Sequence, residues 1–212
     1  MLRPLILIAA LIVSPLNLQA DDAGWIAEPT AWPLPTVDAS QVVTAFSLSA
    51  DDSQLAVGIS TGEVLLLNSA DGTLIRRWRA HAEKIYAIQF LPAGEQVATA
   101  GDDGSVRLWQ TSEGMLLDTL TGHTRWVTSL AVTRQGQLAS GSYDRAVRIW
   151  DLQSKPIACQ VYSQHEAAVK AVGFSSDGSR LVSGSADRTA IVWNLKTKQA
   201  LKTFKGHHGA IR

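Results

Sequence analysis

Three groups of side chains in this sequence contain the residue types of a hydrolytic active site. Each group has a histidine, a serine or threonine, an aspartate and a tryptophan, in that order along the chain. A histidine placed between an aspartate and a hydroxyl group can accept the hydroxyl proton and so create a nucleophile. The groups are His81, Thr99, Asp103 and Trp109; His123, Ser140, Asp144 and Trp150; and His165, Ser183, Asp187 and Trp193.

The repetition of these groups favours a structural role over catalysis. A domain usually needs one active site, whereas an internal hydrogen-bonded network is needed once in every repeated unit. The residue types suit a network, because a buried tryptophan N–H needs an acceptor. A hydroxyl group accepts and donates, a neutral histidine does both through its two ring nitrogens, and a carboxylate accepts. We therefore predict structural networks and no catalytic residues.

The histidines and the cysteine predict neither a metal site nor a cofactor site. The chain has a single cysteine, Cys159, and therefore no CxxC motif and no internal disulfide. Histidines at equal intervals along a repeat protein lie in separate units, too far apart to share one metal ion. The four histidines, spaced 42 residues apart, are His81, His123, His165 and His207.

The 42-residue period also governs the apolar residues and the predicted strands. Ile85, Val127, Val169 and Ile211 repeat at the same interval as the histidines. A fixed period of about 20–50 residues is typical of solenoids, propellers and arrays. Within the unit that starts at His123, four short segments rich in β-formers are separated by turn residues. These predicted strands are residues 127–132, 138–142, 147–150 and 157–162.

Four strands in each period predict an all-β protein, a β-propeller of four-stranded antiparallel blades. One such sheet cannot bury both of its faces, so neighbouring blades must stack on one another. About four blades are predicted in this chain, and a fifth unit begins at residue 207. The predicted blades are residues 42–80, 84–122, 126–164 and 168–206.

The third unit resembles a WD repeat. It contains a Gly-His pair at 122–123, a central aspartate at 144 and a Trp-Asp end at 150–151. The resemblance covers about residues 31–212, although Gln110 and Asn194 replace the final aspartate in two units. It implies a hydrogen-bonded chain from tryptophan through serine or threonine and histidine to aspartate in each of the three groups. The first unit lacks these polar residues, and we expect apolar packing alone to hold it.

The resemblance also implies a binding face for protein partners. In WD-repeat proteins this face carries the loops that enter the inner strands and the turns before the third strands. Tryptophan, tyrosine and arginine are enriched among the residues that dominate interface energetics. The candidate partner-binding residues on this face are Lys84, Tyr86, Asp102, Arg125, Trp126, Tyr143 and Lys170.

The N-terminus has the layout of a secretory signal peptide at residues 1–20. Arg3 precedes an apolar run at 5–13, and Ala20 precedes Asp21-Asp22. A run of nine residues is too short to span a membrane. We therefore expect a secreted or periplasmic protein with no membrane span after signal removal. Residues 21–41 form an N-terminal segment with a candidate closing strand, and the begun fifth unit predicts an N-terminal fragment.

Composition and charge favour a protein-binding scaffold. Lys and Arg number 19, as do Asp and Glu, so the chain lacks the basic excess typical of nucleic-acid binders. We expect a non-catalytic scaffold that binds proteins in an exported compartment. One alternative is a platform for a larger exported enzyme or redox protein whose active domain lies beyond residue 212. Another is a propeller that binds a small ligand in its central channel.

Overall fold

A computed structural model describes residues 41–211, and over this range the chain is built of strands and short turns. None of the described residues forms a helix long and apolar enough to cross a membrane. The strands are β1 (Val43–Leu48), β2 (Gln54–Ile59), β3 (Glu63–Asn68), β4 (Leu74–Arg79), β5 (Ile85–Phe90), β6 (Gln96–Gly101), β7 (Val106–Gln110), β8 (Met115–Leu120), β9 (Val127–Val132), β10 (Gln137–Ser142), β11 (Val147–Asp151), β12 (Ala158–Tyr162), β13 (Val169–Phe174), β14 (Arg180–Ser185), β15 (Ala190–Asn194) and β16 (Gln199–Phe204).

Each run of four consecutive strands between residues 41 and 211 forms one antiparallel sheet. Blade one contains β1–β4, blade two β5–β8, blade three β9–β12 and blade four β13–β16. Within every sheet the strands keep their order in the chain, so tight turns connect neighbours. The predicted all-β fold of four-stranded antiparallel blades is confirmed.

The apolar core lies at the seams between blades. Buried side chains of blade one, such as Leu66, pack with Ile85 and Trp109 of blade two. Equivalent clusters join blade two to blade three and blade three to blade four. The inner strands β1, β5, β9 and β13 are neighbours along the sequence of blades. Blades two and three therefore bury both faces against adjacent sheets, and blades one and four each bury one face in this way.

A glycine on the second strand of a blade admits the first residue of the next blade. A Cβ atom at Gly141 would lie 2.7 Å from Val169 Cγ1, closer than van der Waals contact allows. The same relation holds between Gly58 and Ile85 Cγ2, at 2.8 Å. Ile211, the last described residue, repeats the contact at 2.7 Å from a Cβ at Gly184. The seams between blades one and two and between blades three and four, and the contact of Ile211 with blade four, thus depend on the absence of a side chain.

Blade one is apolar inside, but the prediction that apolar packing alone holds it is wrong. Glu63 on β3 accepts two hydrogen bonds from the Arg77 guanidinium on β4, at 2.9 and 2.6 Å. The Thr44 hydroxyl also donates to the Ile85 carbonyl of blade two, at 2.5 Å. Polar contacts at the surface and at the seam therefore supplement its packing.

Part of the predicted domain organisation lies outside the described residues. The predicted signal peptide at 1–20 and residues 21–40 of the N-terminal segment are not among them. The four sheets begin and end inside the ranges 42–80, 84–122, 126–164 and 168–206.

Candidate functional site

The four polar residues of blade three form one continuous hydrogen-bonded chain. Trp150 Nε1–H donates to Ser140 Oγ over 2.9 Å. Ser140 Oγ lies 2.8 Å from His123 Nε2, and His123 Nδ1 lies 2.8 Å from Asp144 Oδ2. Because the Asp144 carboxylate only accepts, His123 Nδ1–H donates to it, and in the neutral ring Nε2 then accepts from the Ser140 hydroxyl.

Blade four repeats this geometry almost unchanged. Trp193 Nε1–H donates to Ser183 Oγ over 2.8 Å, and Ser183 Oγ lies 2.8 Å from His165 Nε2. His165 Nδ1 is 2.9 Å from Asp187 Oδ2. The Glu166 backbone N–H donates to the same Asp187 oxygen over 2.9 Å. The second set therefore joins core tryptophan, strand hydroxyl and turn carboxylate as the first does.

Blade two holds a looser version of the network. Trp109 Nε1–H and His81 Nε2 each lie 2.9 Å from Thr99 Oγ1. His81 Nδ1, however, is 3.3 Å from both oxygens of Asp103, whose carboxylate also accepts from Arg107 over 2.9 Å. The Asp103 side chain is 34% exposed, against 9% for Asp144. Competition from Arg107 and solvent therefore weakens the outer end of this network.

The electrostatics keep the aspartates charged and the His81 ring neutral. Burial opposes ionisation of Asp144, but hydrogen bonds from His123 and from the Ala146 backbone lower its pKa to about 2. Burial likewise opposes ionisation of Asp187, and hydrogen bonds from Thr189 and His165 lower its pKa to about 2. Burial lowers the pKa of His81 and outweighs the opposing charge of Asp103. At neutral pH the three aspartates are therefore carboxylates, and the His81 ring is neutral.

The hydroxyl groups of these networks are inaccessible to a substrate. Thr99, Ser140 and Ser183 are all 0% exposed. Each oxygen is also bonded to both a tryptophan N–H and a histidine nitrogen, which leaves no open approach for a reacting carbonyl carbon. The order of the groups matches that of a catalytic triad. Because the hydroxyls are buried and fully hydrogen-bonded, however, these groups stabilise the blade and are not placed for nucleophilic attack.

The networks fix the loops that lie on one face of the blades. In blade three the Thr124 N–H donates to Asp144, and the Tyr143 N–H donates to the Trp126 carbonyl over 2.9 Å. The Ser142 hydroxyl donates to the Arg125 carbonyl over 3.1 Å. The loop before β9 and the turn after β10 are therefore joined to each other and, through Asp144, to the core.

Three predicted partner-binding residues, Tyr86, Trp126 and Tyr143, pack together on this face, and we call them the aromatic row. The rings of Tyr86 and Trp126 are stacked, with centroids 5.7 Å apart and planes at 18°. The Trp126 and Tyr143 centroids are 4.9 Å apart at 59°. Trp126 is 41% exposed, while both tyrosines are half-buried. The row presents one broad ring to solvent between two supporting rings.

Charged residues of the predicted face lie around the row. Lys170 Nζ donates to the Tyr143 hydroxyl over 2.5 Å and lies 3.8 Å from the ring centroid. Lys84 Nζ lies 4.7 Å from the Tyr86 centroid. Arg125 is exposed, and Asp102 is half-buried with its N–H bonded to the Lys84 carbonyl. All seven predicted residues therefore lie on or beside the same loops.

Two features of this face were not predicted from the sequence. Arg107 pairs with Asp103, a contact that the strand pattern alone does not indicate because it depends on side-chain direction. Arg145 and Arg188 have positive φ angles of 72° and 69° in the turns before the third strands. Gly104 occupies the same turn position in blade two, with a φ angle of 75°. Because glycine adopts positive φ angles readily, its alignment with Arg145 and Arg188 could have predicted their backbone conformation.

The described residues hold no cluster that suits a metal ion. Between residues 41 and 211, no three His, Cys, Asp or Glu side chains are grouped so that they could hold one. Each network histidine instead uses both ring nitrogens within its own blade.

Blades that are stabilised by buried networks, and whose loops form an exposed surface, define a repeat protein of the propeller class. The chain belongs to the WD40 family, and the family model described as "WD domain, G-beta repeat" matches residues 72–110, 114–151 and 157–194. Each match begins on or near the last strand of one blade and ends with the third strand of the next. Strands β1–β3 of blade one lie outside the matches.

The related proteins include proteins from fungi, plants, mammals and bacteria. Mitochondrial division protein 1 of Neurospora crassa is 44% identical over 82 residues, which cover 38% of this chain and 12% of that protein. The WD repeat-containing protein 26 homolog of Arabidopsis thaliana is 28% identical over 67% of this chain and 24% of its own length. An uncharacterized WD repeat-containing protein of Synechocystis, sll1491, is 26% identical over 66% of this chain and 40% of its own length. The chain thus spans less than half the length of each.

Proposed function

We propose that this chain is a non-catalytic WD-repeat scaffold that binds a protein partner through the aromatic row in an exported compartment. The observation that carries the proposal is the exposed Trp126 ring, 41% exposed and supported by Tyr86 and Tyr143. WD40 domains generally bind proteins, and the buried hydroxyls of the three networks suit support rather than catalysis.

The construction of the row suits an interface. Trp and Tyr offer large contact areas and lose little conformational entropy when they are bound, since each has two side-chain torsions. The backbone bonds between Tyr143 and Trp126, and between Ser142 and Arg125, hold the loops in place before a partner arrives. A preorganised surface lowers the entropy lost on association.

Two substitutions test the assignment of this face. We expect Trp126→Ala and Tyr143→Ala to weaken capture of partner proteins from the exported fraction by about tenfold or more, the effect of removing an interface hot spot. The melting temperature should stay nearly unchanged, because the Trp126 ring is partly exposed. Phe204→Ala is the matched control, since Phe204 is a 46% exposed aromatic residue on the outer strand β16. Intact capture together with lost stability would contradict the proposal.

Export requires a separate test. The arrangement of Arg3, the apolar run at 5–13 and Ala20 supports a cleavable signal peptide. We expect the mature protein to begin at Asp21, which N-terminal sequencing of the exported protein would show. Recovery of the chain in the cytoplasm with residues 1–20 still attached would contradict export and leave the binding proposal standing.

A further inference from the structure

Both ends of the aromatic row are covered by ammonium groups of the chain itself. Lys84 lies over Tyr86 and Lys170 lies over Tyr143, with Nζ 4.7 and 3.8 Å from the ring centroids. An aromatic ring attracts a cation through its negative face. Because a cation already lies over each tyrosine, a lysine or arginine of a partner would meet repulsion there.

Three cations beside the row form no ion pair with a carboxylate in the described part of the chain. Among residues 41–211, neither Lys84, Arg125 nor Lys170 has a carboxylate oxygen within 4.0 Å of its side-chain nitrogens. Arg77 and Arg107, in contrast, each pair with a carboxylate in their own blade. The positive charges of Lys170 and Arg125 beside the exposed Trp126 ring are complementary to an acidic ligand.

The two ends of the row differ in charge. At the blade-two end, Asp102 and Glu83 lie beside Lys84; a hydrogen bond with Asp102 and its charge raise the pKa of Glu83. At the other end, Lys170 contacts Tyr143, and the exposed Arg125 directly precedes Trp126. Carboxylates of a ligand should therefore lie toward Lys170 and Arg125.

We propose that the aromatic row binds an extended acidic segment of a protein partner, with an aromatic side chain on Trp126 and carboxylates against Lys170 and Arg125. This inference rests on the proposed function, since it specifies the partner of the same face. The acidic segment is inferred from charge complementarity with Lys170 and Arg125. The aromatic residue within it is inferred from the exposed Trp126 ring, on which it would stack.

Fluorescence anisotropy with defined peptides tests the ligand chemistry on the full chain. The probe is a fluorescein-labelled peptide with one Trp followed by three Asp between Gly-Ser linkers. Matched peptides replace the three Asp by Asn or by Lys. We expect the Asp peptide to bind at least about tenfold more tightly than the Asn peptide, and its affinity to fall as salt increases. Equal affinity for the Asn or Lys peptide would overturn the acidic ligand.

Variants of the protein locate the binding to the row. Trp126→Ala should weaken the Asp peptide by about tenfold or more. Lys170→Gln should weaken it by about three- to tenfold and reduce the salt dependence. Lys202→Gln is the matched control, because Lys202 also lies over an aromatic ring, 5.0 Å from the Phe204 centroid, but on outer strand β16. An equal loss in the Lys202 variant would overturn the assignment.

A random peptide library separates failure of this inference from failure of the proposed function. The library is selected on the full chain, and peptides that also bind the Trp126→Ala variant are removed. Enrichment of Asp or Glu beside an aromatic residue supports the inference. Enrichment of neutral or basic sequences that need Trp126 overturns the acidic ligand and preserves the binding face. No enrichment dependent on Trp126 overturns both.

Discussion

Blade one and the three following blades have the same four-stranded architecture but differ in their buried residues. Blade one has Val57, Thr61 and Leu67 where blade two has Thr99, Asp103 and Trp109. Val57 and Leu67 are 5% and 0% exposed, so the positions are buried without polar atoms. In blades two to four the same positions carry a network that ends in a turn carboxylate.

The difference shows that the networks are not needed to form a sheet. In blade one, apolar strands, tight turns and polar contacts at the surface and at the seam take their place, and nothing polar is left unpaired at those positions. The networks instead connect the buried tryptophan to the loops on one face. In blade three these loops carry Arg125, Trp126 and Tyr143, so the network preserves the shape of the proposed binding surface.

The largest effect should follow from removing the central hydroxyl of a network. Ser140→Ala leaves Trp150 Nε1–H and His123 Nε2 buried without a partner. We expect a loss of about 2–4 kcal/mol in the free energy of unfolding, since each stranded polar group costs about 1–3 kcal/mol. Urea denaturation measures this loss. Ser163→Ala, at an exposed serine, is the control and should change stability little.

A loss below about 0.5 kcal/mol for Ser140→Ala, a value ordinary for a surface site, would break the comparison. It would mean that the Ser140 hydroxyl adds no more to the stability of blade three than Val57, at the equivalent position, adds to that of blade one. The network would then need another explanation than the pairing of buried groups.

Acid should affect the networked blades more than blade one. The pKa of Asp144 is about 2 in the folded protein against an ordinary 3.8, despite the opposing effect of burial. A lowered carboxyl pKa stabilises the fold above pH 4, and this stabilisation is lost as pH falls from about 4 towards 2. Asp144→Asn should flatten this loss, by on the order of 1–2 kcal/mol after allowance for solvent screening. Unfolding curves between pH 2 and 6 measure it.

Asp51 of blade one is the matched control for acid stability. Hydrogen bonds from Ser49 and Ser53 lower its pKa to about 2 as well, but it lies in a fully exposed turn. Asp51→Asn should therefore flatten the pH dependence less than Asp144→Asn. Equal effects would show that burial in the network adds nothing to the carboxylate's contribution.

The smallest effect should come from the ion pair of blade one. Glu63→Gln removes the charge that Arg77 contacts at 2.6 Å, where the Arg77 side chain is 40% exposed. Solvent screens such pairs, so we expect a loss of about 0.2–1 kcal/mol that shrinks further in high salt. Thermal unfolding with and without 1 M salt checks this. A loss as large as that of Ser140→Ala would remove the contrast between surface and buried polar contacts.

The period of the sequence predicted the sheets because every unit repeats the same alternation of strands and turns. It also indicated the members of each network, since all three units have a histidine, a serine or threonine 17 or 18 residues later and a tryptophan ten residues after that. The loose bond between His81 and Asp103 could not be predicted, because it depends on how Arg107 is directed. The stacking of Tyr86 on Trp126 was equally hidden, since the two rings come from different blades and meet only after the seam forms.

The glycine contacts at the seams bear on how sharply the molecule curves. Val169 comes within reach of Gly141 because glycine has no side chain, and this helps set the wedge angle between blades three and four. A methyl group added by Gly141→Ala would collide with Val169 and tilt one sheet away from its neighbour. Tyr143 and Lys170 belong to the two sheets on either side of this joint, so a change of angle would separate the ring from its ammonium cap. The close contact between buried residues of two blades thus affects how Tyr143 and Lys170 are positioned at the surface.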